Sequence, residues 1–236
     1  MKKIDVSVII PAYNEEKFIQ KSITSVKKQK TKLRYEIIVV DNNSTDQTKE
    51  IAKKQNVKVL TEKIQGVGAA RRTGTEHAKG EIVVHIDADT IIPTNHLERV
   101  WEHFKKDEEL VCLGGMFLFY DAPLWKNILR KVLYKPLLFF AKVFSRGTFG
   151  PSGNNMAFKK SSYDKTRGFS KNLKFGEDME ICKELKIWGK IKTCTKLKVG
   201  VSSRRYKISK NFVLYVMNFI SMSTRKKPYK NELPVV

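Results

Sequence analysis

The sequence predicts an α/β protein with a mostly parallel, Rossmann-like sheet that is covered by helices on both faces. Over residues 6–87, short apolar runs alternate with longer segments in which apolar side chains recur every three or four positions. This is the pattern of repeated strand–helix units. The apolar runs are nearly continuous, which is typical of strands buried on both faces. A chain of 236 residues, 41% of them hydrophobic, is long enough to bury such a core.

The predicted strands are the short apolar runs that end at a proline, a glycine or charged residues. The first, VSVIIPAY, contains a proline near its end, and the second, YEIIVVD, ends in an aspartate. We predict strands at 6–13, 35–41, 57–61, 81–87 and 110–120, a glycine loop with a short strand at 150–160, and a strand with a basic loop at 191–206. The chain is less regular after residue 93.

The predicted helices lie between these strands. The first helix shows an apolar face at four positions, Phe18, Ile19, Ile23 and Val26. Asn14 is expected to cap it, with Glu15 and Glu16 in its first turn. Asn43 or Ser44 is expected to open the second helix. Helices are predicted at 14–29, 43–55, 66–80, 96–106, 176–189 and 211–222.

Polar or acidic groups stand at the ends of three predicted strands. The first strand ends in Pro11-Ala12-Tyr13, the second in Asp41 and the fourth in Asp87-Ala88-Asp89. In open parallel sheets, ligands bind at the carboxyl ends of the strands. We therefore expect a single ligand to contact all three strand ends.

Asp87 and Asp89 follow a buried strand, so their charges repel each other and lose hydration. A hard divalent cation such as Mg²⁺ or Mn²⁺ would offset that cost, because such ions bind through one or two carboxylates and substrate phosphates. In an extended chain, this spacing would direct both side chains to one side. The alternative is a solvated turn or an Asx cap, and the spacing alone leaves it open.

Two interpretations are open for Asp41, and two for the arginine pair Arg71 and Arg72. Asp41 either accepts hydrogen bonds from a base or ribose, or shares the capping of the second helix with Asn43. Arg71 and Arg72 fall in the first turns of a predicted helix, where cations are normally disfavoured. This position favours a phosphate nearby, with a solvated surface pair as the alternative.

The charge is strongly unbalanced, with 46 Lys and Arg against 24 Asp and Glu and a net charge of +22. The excess favours an anionic partner, either nucleic acid, an acidic membrane surface or a phosphorylated substrate, although a lysine-rich surface explains part of it. The three cysteines and four histidines show no CxxC or zinc spacing, so we expect reduced structural cysteines in a cytoplasmic protein. No leader is apparent, and no apolar run reaches the roughly 18–20 residues of a membrane span.

Residues 123–146 have the pattern of an amphipathic helix, with an apolar face, basic flanks and a kink at Pro136. One interpretation is an interfacial helix that contacts anionic lipid on the cytoplasmic face of the membrane and leads to a lipid-linked acceptor. Residues 211–222 are a second candidate for such an element. The other interpretation is a helix that covers the sheet with four large side chains, Trp125, Leu129, Leu133 and Phe140.

Five segments together resemble family 2 glycosyltransferases, which have the GT-A fold. They are VSVIIPAYNEEKFIQKSITSV, EIIVVDNNSTDQT, GVGAARRTGTEHAKGEIVVHIDADT, GNNMAFKK and GFSKNLKFGEDMEICKEL. They cover roughly residues 4–200 in the family's order, which is more specific than any single motif. The resemblance implies a GT-A domain at 1–206, with a nucleotide-binding half at 1–92 and a mixed acceptor and catalytic half at 93–206. A C-terminal helix and basic tail would follow at 207–236.

The resemblance further implies transfer of a hexosyl-type sugar from a nucleoside diphosphate donor, with inversion of the anomeric centre. The donor is expected at Pro11, Ala12, Tyr13, Glu15, Asp41, Arg71, Asp87, Ala88 and Asp89, with the base on Asp41. Asp87 and Asp89 match the DxD motif, and Asp89 is expected to be the more direct ligand of Mn²⁺ or Mg²⁺. Arg72 stands where the family has asparagine, so the resemblance gives it no role.

Asp178 in GED matches the family's general base, and a helix start suits a carboxylate in that role. Without the resemblance, the acids at 177 and 178 would be two ordinary first-turn residues. Gly153, Asn154, Asn155 and Glu177 are expected on the acceptor side. No histidine follows residue 190 to complete a metal site. Instead, the segment SSRRY suggests the hypothesis that Arg204 and Arg205 bind the donor diphosphate.

Two other classes are weighed against this interpretation. A nucleotidyltransferase would carry a glycine-rich basic loop after the first strand, whereas PAYNEEKF has no glycine. A nucleic-acid-binding protein would account for the charge, but the basic residues are spread along the chain without a recognised motif, so no nucleic-acid partner is expected. Within the transferase interpretation, the acceptor is a glycan hydroxyl, a lipid-linked glycan or a polyprenyl phosphate.

Overall fold

The computed structural model, which describes residues 3–128, 132, 151–173, 176–206 and 221, is built around one eight-stranded mixed sheet. The strands are β1 (Val6–Ala12), β2 (Tyr35–Asp41), β3 (Lys58–Thr61), β4 (Ile82–His85), β5 (Thr90–Ile91), β6 (Leu110–Phe119), β7 (Met156–Lys159) and β8 (Lys190–Val201). Their spatial order is β3-β2-β1-β4-β7-β6-β8-β5. β5 was not predicted from the sequence, because two residues are too short to show a pattern.

The direction of the strands brings the polar strand ends together. β1 runs parallel to β2 and β4, β2 runs parallel to β3, and β6 runs parallel to β8. β7 lies antiparallel to both β4 and β6, and β5 lies antiparallel to β8. β6 and β8 therefore point the same way as β1 and β4. We call the edge where these strands end, and where β7 begins, the carboxyl edge.

The helices cover both faces of the sheet. They are α1 (Ile19–Lys27), α2 (Thr48–Lys54), α3 (Val67–Glu76), α4 (His96–Lys106), α5 (Lys160–Tyr163) and α6 (Glu177–Leu185), with single 3-10 turns at Gly153–Asn155, Lys186–Trp188 and Ser203–Tyr206. Val8 and Ile10 of β1 pack in the core on the side of α1, α2 and α4, whereas Ile9 packs on the side of α3 and α6. This two-sided burial explains the continuous apolar run.

The predicted helix starts after β1 and β2 are wrong. α1 begins at Ile19, so Asn14 does not cap it, and α2 begins at Thr48, so neither Asn43 nor Ser44 opens it. Capping of α2 by Asp41 is excluded for the same reason. Asn14 and Asn43 both have left-handed backbone angles, with φ of 52° and 63°.

The residues before α1 and α2 bond across to each other, and Asp46 also accepts from the Thr48 N–H at the start of its own helix, α2. Asn14 Oδ1 accepts from the Thr45 N–H at 2.8 Å. The Glu15 N–H donates to Thr48 Oγ1 at 2.7 Å, and the Glu16 N–H donates to Asp46 Oδ2 at 3.1 Å. Glu15 and Glu16 therefore precede the helix, and the two loops form one hydrogen-bonded unit at the carboxyl edge.

Several predictions fall partly or wholly outside the described residues. Of the amphipathic stretch at 123–146, the structure describes residues 123–128 and Val132, and of residues 211–222 it describes Ser221 alone. The boundary at 206/207 stays a prediction. Among the described residues, no helix has the length and apolar content needed to cross a bilayer.

Candidate active site

The ends of β1 and β2 provide a buried acceptor at the carboxyl edge. Pro11 and Ala12 are buried, Tyr13 is half-buried, and Asp41 is only 2% exposed. Asp41 Oδ1 has no hydrogen-bond partner within the described part of the chain. A buried polar atom of this kind normally meets a partner from protein, water or ligand. Asp41 therefore remains a sound candidate for contact with a bound molecule.

Arg71 lies in the centre of the acidic cluster and is almost fully buried. Its Nη2 donates to Asp87 Oδ1 at 2.7 Å, its Nε donates to Glu177 Oε1 at 3.3 Å, and its Nη1 donates to the Gly153 carbonyl at 2.9 Å. Burial opposes its charge, but the carboxylates of Asp87 and Glu177 outweigh burial and raise the pKa of Arg71. One guanidinium thus connects the DxD motif, the start of α6 and the glycine turn.

Arg72, the next residue, faces elsewhere. It pairs with Glu76 along α3 at 2.8 Å, in the usual i, i+4 arrangement. Its Nη1 also donates to the Phe169 carbonyl at 3.4 Å. The two arginines thus have different surroundings: the N–H groups of Arg71 bond to protein inside the acidic cluster, whereas Arg72 is partly exposed along α3.

The two acids at the start of α6 have different surroundings. Asp178 Oδ2 accepts from the Gly153 N–H at 3.0 Å and Oδ1 accepts from the Met179 N–H at 2.8 Å. Burial raises the pKa of Asp178, although the Gly153 hydrogen bond and the Arg71 charge oppose the rise. Burial, and then the neighbouring Asp178 charge, raise the pKa of Glu177 to about 7. A carboxylate with a raised pKa is a stronger base near neutral pH.

The glycine turn Gly153–Asn155 joins these groups. Gly153 must be glycine at this position, since an added Cβ would come within 2.3 Å of Arg71 Nη2. Asn155 Nδ2 donates to the carbonyls of Met116 and Leu197, which anchors the turn to β6 and β8. Asn154 is buried, and its Oδ1 has no partner within the described residues. The turn is therefore rigid and keeps a polar atom available.

A second arginine reaches the carboxyl edge from the 3-10 turn after β8. Arg204 Nη2 donates to both carboxylate oxygens of Glu15, and its Nε donates to Asp89 Oδ2 at 3.4 Å. Its guanidinium also lies 4.2 Å from the centroid of the Phe18 ring, a cation–π contact. The side chain of Arg205 lies outside the described residues.

Asp89 is not solvated, because it is only 4% exposed, whereas the side chain of Asp87 is 29% exposed. β4 ends at His85, so the extended geometry expected for both aspartates is also wrong. The chain turns there, and Asp87 and Asp89 bond to different arginines. Asp87 also keeps its backbone close to α1, because its carbonyl accepts from Ser22 Oγ at 3.3 Å.

The donor set suits a hard cation that is shared with a phosphate. Within the described residues, no three His, Cys, Asp or Glu side chains come together to hold a metal. Mg²⁺ and Mn²⁺, however, often use one or two carboxylates with water and substrate oxygens. Asp87 and Asp89 provide carboxylate oxygens of this kind, so they fit such an ion. The three cysteines are free thiols in the structure, with Cys112 and Cys182 buried.

One contributor was missed from the sequence. Asp121 accepts from Ser202 Oγ and from the Ser203 N–H, both at 2.6 Å, and so anchors the turn that carries Arg204. Asp121 lies just after β6, as Asp41 ends β2. Applied to every predicted strand, the rule of acidic strand ends would have found it.

The sequence model described as "Glycosyl transferase family 2" matches residues 7–167, more than half of the chain. The chain belongs to this family. Glycosyltransferase AglE from Haloferax volcanii is 46% identical over 101 residues, which are 40% of this chain and 33% of that protein. The chain thus spans about a third of the length of this relative.

Solved structures of low identity share the fold. A mannosyltransferase from Pyrobaculum calidifontis was solved with GDP-Man and Mn²⁺. It has a TM-score of 0.72 at 20% identity, and the match covers 96% of this chain and 64% of the mannosyltransferase chain. Glucosyl-3-phosphoglycerate synthase from Mycobacterium tuberculosis was solved with Mn²⁺, UDP and glucosyl-3-phosphoglycerate. It has a TM-score of 0.68 at 20% identity, and the match covers 95% of this chain and 81% of the synthase. The GT-A prediction for this family 2 chain is confirmed.

Arg71 and its neighbour Arg72 offer a matched test of the buried cluster. The single nitrogen of a lysine cannot reach the three acceptors that Nε, Nη1 and Nη2 of Arg71 contact, so R71K leaves Glu177 or Asp87 unpaired and should cost about 3 kcal/mol in the free energy of unfolding. R72K changes the partly exposed i, i+4 pair with Glu76 and the long bond to the Phe169 carbonyl, and should cost less than about 1 kcal/mol. Urea denaturation measures both, and equal losses would contradict a central role for Arg71.

Glu177 should make stability depend on pH. Its pKa rises from 4.5 to about 7 on folding, so the folded state holds this proton more tightly than the unfolded chain. The stabilising effect is complete below pH 4.5 and is lost as the pH rises through 7. Relative to the E177Q variant, in which position 177 cannot titrate, the wild type should therefore lose stability in urea denaturation mainly between about pH 4.5 and pH 7. E184Q, on the same helix, is the control, and a difference independent of pH would refute the assignment.

Proposed function

We propose that this chain is an inverting glycosyltransferase that uses a nucleoside diphosphate sugar, a divalent cation and Asp178 as general base. One observation carries the proposal. Arg71 bonds to Asp87 of the DxD motif and to Glu177, while the Gly153 carbonyl accepts from Arg71 and the Gly153 N–H donates to Asp178. Groups suited to the leaving diphosphate and to the attacking hydroxyl therefore meet in one network.

The donor would bind along the ends of β1, β2 and β4. The unpartnered Oδ1 of Asp41 supports a contact with an N–H of the base or a hydroxyl of the ribose. Pro11, Ala12 and Tyr13 would line the nucleoside. The solved mannosyltransferase and phosphoglycerate synthase were crystallised with GDP-Man and UDP respectively, which supports a nucleotide at this edge without indicating which base this chain prefers.

Asp87 and Asp89 would hold the cation, and both of those solved structures contain Mn²⁺. When bound, the cation supplies positive charge to the diphosphate leaving group. Arg71 keeps Asp87 in position through the 2.7 Å contact. Arg204 supplies a planar group of N–H donors at the same edge, a geometry suited to phosphate oxygens.

Asp178 would remove the proton from the acceptor hydroxyl while that oxygen attacks the anomeric carbon from the side opposite the diphosphate. The new glycosidic bond forms as the bond to the diphosphate breaks, which inverts the centre. The backbone hydrogen bonds from Gly153 and Met179 fix the carboxylate in orientation. The buried Asn154 would bind a sugar hydroxyl at the same turn.

Sugar transfer should depend on Asp178 more than donor binding does. D178N keeps an oxygen that can accept from Gly153 but lacks a basic carboxylate, so turnover should fall by about 10²–10⁴-fold. The affinity for nucleotide should change little. The measurement is a screen of UDP- and GDP-sugars with and without Mn²⁺, scored by release of nucleoside diphosphate.

The control is E184Q, which removes a carboxylate from another position on α6 and should leave turnover unchanged. Full turnover by D178N would exclude Asp178 as the base. Release of pyrophosphate or nucleoside monophosphate would indicate a nucleotidyltransferase instead. Loss of activity in D89N but not with chelator would argue against the cation.

We also propose that the segment after β6 contacts an anionic membrane and a lipid-linked acceptor. Leu124 and Trp125 are 75% and 59% exposed, and Ile128 and Val132 are also exposed. Trp125 is thus not packed on the sheet, while Leu129, Leu133 and Phe140 lie outside the described residues. Lys126 lies over the Trp125 ring, and the chain carries a charge of +22. Apolar and basic groups together suit an anionic lipid surface.

Flotation with phosphatidylglycerol vesicles tests this contact. The L124S/W125S variant removes exposed apolar area and should lower the bound fraction at least about fivefold. The control is I187S/W188S, which removes two exposed apolar residues near the start of β8, at the opposite edge of the sheet. Equal binding by all three proteins, or equal binding to neutral vesicles, would refute the proposal.

A further inference from the structure

We infer that Arg204 and the divalent cation compete for Asp89, so that the side chain of Arg204 is a latch that cation and donor displace together. This inference rests on the proposed function, because it takes the cation and the diphosphate donor as the ligands of this edge. It concerns ligand binding before catalysis, namely how Arg204 exchanges its carboxylate partners for the diphosphate when the cation and the donor bind.

The latch is built from three contacts that close over the buried acids. Arg204 bonds to both oxygens of Glu15 and to Oδ2 of Asp89, and it stacks on Phe18. Glu15 and Asp89 are both almost fully buried, whereas Arg204 is 28% exposed on its side chain. Solvent therefore reaches the Arg204 side chain, whereas the two acids that it pairs with are covered.

A cation bound by Asp89 Oδ2 would meet the positive charge of Arg204 at close range. Arginine cannot relieve this repulsion by losing a proton, because it stays charged at all accessible pH values. The side chain must therefore move when the cation binds. A lysine or histidine at this position could instead relieve the repulsion by losing its proton and becoming neutral.

The backbone leaves the side chain free to exchange partners while its base stays in place. Ser202 and Ser203 are tied to Asp121 by two hydrogen bonds of 2.6 Å. Arg204 follows directly, so its guanidinium can leave Asp89 without loss of this anchor. Once released, it can pair with the diphosphate, whose charge also attracts the cation. Cation and nucleotide should therefore bind cooperatively, and the cation alone should bind weakly.

The test measures Mn²⁺ binding in the absence of nucleotide, from the electron paramagnetic resonance signal of free Mn²⁺. Removal of the competing charge in R204A should tighten Mn²⁺ binding by at least about tenfold. R204Q, which keeps hydrogen-bond donors without the charge, should show the same gain and serves if R204A fails to fold. R34A, which removes an arginine near the start of β2, at the opposite edge, should match the wild type.

The double variant R204A/D89N locates the effect, and its Mn²⁺ affinity should fall back to that of the wild type or below. Addition of UDP or GDP should then tighten Mn²⁺ binding more in the wild type than in R204A, because only the wild type has a latch to release. Wild-type affinity for Mn²⁺ in both R204A and R204Q, or no detectable Mn²⁺ binding by either, would overturn the inference.

The outcomes also separate the latch from the proposed function. If UDP- or GDP-sugars are turned over with Mn²⁺ but neither R204A nor R204Q tightens Mn²⁺ binding, the latch is wrong and the transferase proposal stands. If both variants tighten Mn²⁺ binding at Asp89 but no nucleotide sugar binds or reacts, the competition is real and the proposed donor is wrong.

Discussion

The carboxyl edge of the sheet depends on neutralisation of one partly exposed and three buried acids by two arginines from distant parts of the chain. Asp87 and Glu177 share Arg71, and Glu15 and Asp89 share Arg204. A buried carboxylate without a partner costs several kcal/mol or takes up a proton. The difference between the two arginines is therefore informative. Arg71 is enclosed and holds the site in shape, whereas Arg204 is partly exposed and can exchange its partners.

The strands and the acidic strand ends could be predicted because both follow from local chemistry. Burial on two faces demands a continuous apolar run, as in β1, β2 and β4, and helix packing on each face demands three- and four-residue spacing. Acids that end such a run must either be paired or bind something. Asp41, Asp87 and Asp89 were found on that basis, and all three lie at one edge because β1, β2 and β4 run parallel.

The loops and the ion pairs could not be predicted, because they depend on contacts between distant segments. Asn14 and Asn43 look like helix caps, but the loops after β1 and β2 lie side by side and bond to each other through Asn14. Asn43 instead donates its side-chain amide to the Lys63 carbonyl after β3. Arg71 is 106 positions from Glu177, and Arg204 is 189 positions from Glu15. No spacing rule reaches so far. The insertion of β7 between β4 and β6 and the pairing of β5 with the end of β8 bring these segments together.

This dependence shows why residues 1–92 do not complete the site without residues 93–206. Asp87, Asp89 and Glu15 all lie before residue 92, yet Gly153, Glu177 and Arg204 come from the second half. Without that half, Glu15 and Asp89 would lose Arg204, and Arg71 would keep only one of its two carboxylates. The same arrangement links Asp87 to Asp178, because the Gly153 carbonyl accepts from Arg71 and the Gly153 N–H donates to Asp178. These two groups belong to the peptide units on either side of the Gly153 Cα, so a shift of Asp87 on cation binding would reach the proposed base through Arg71 and the backbone of one residue.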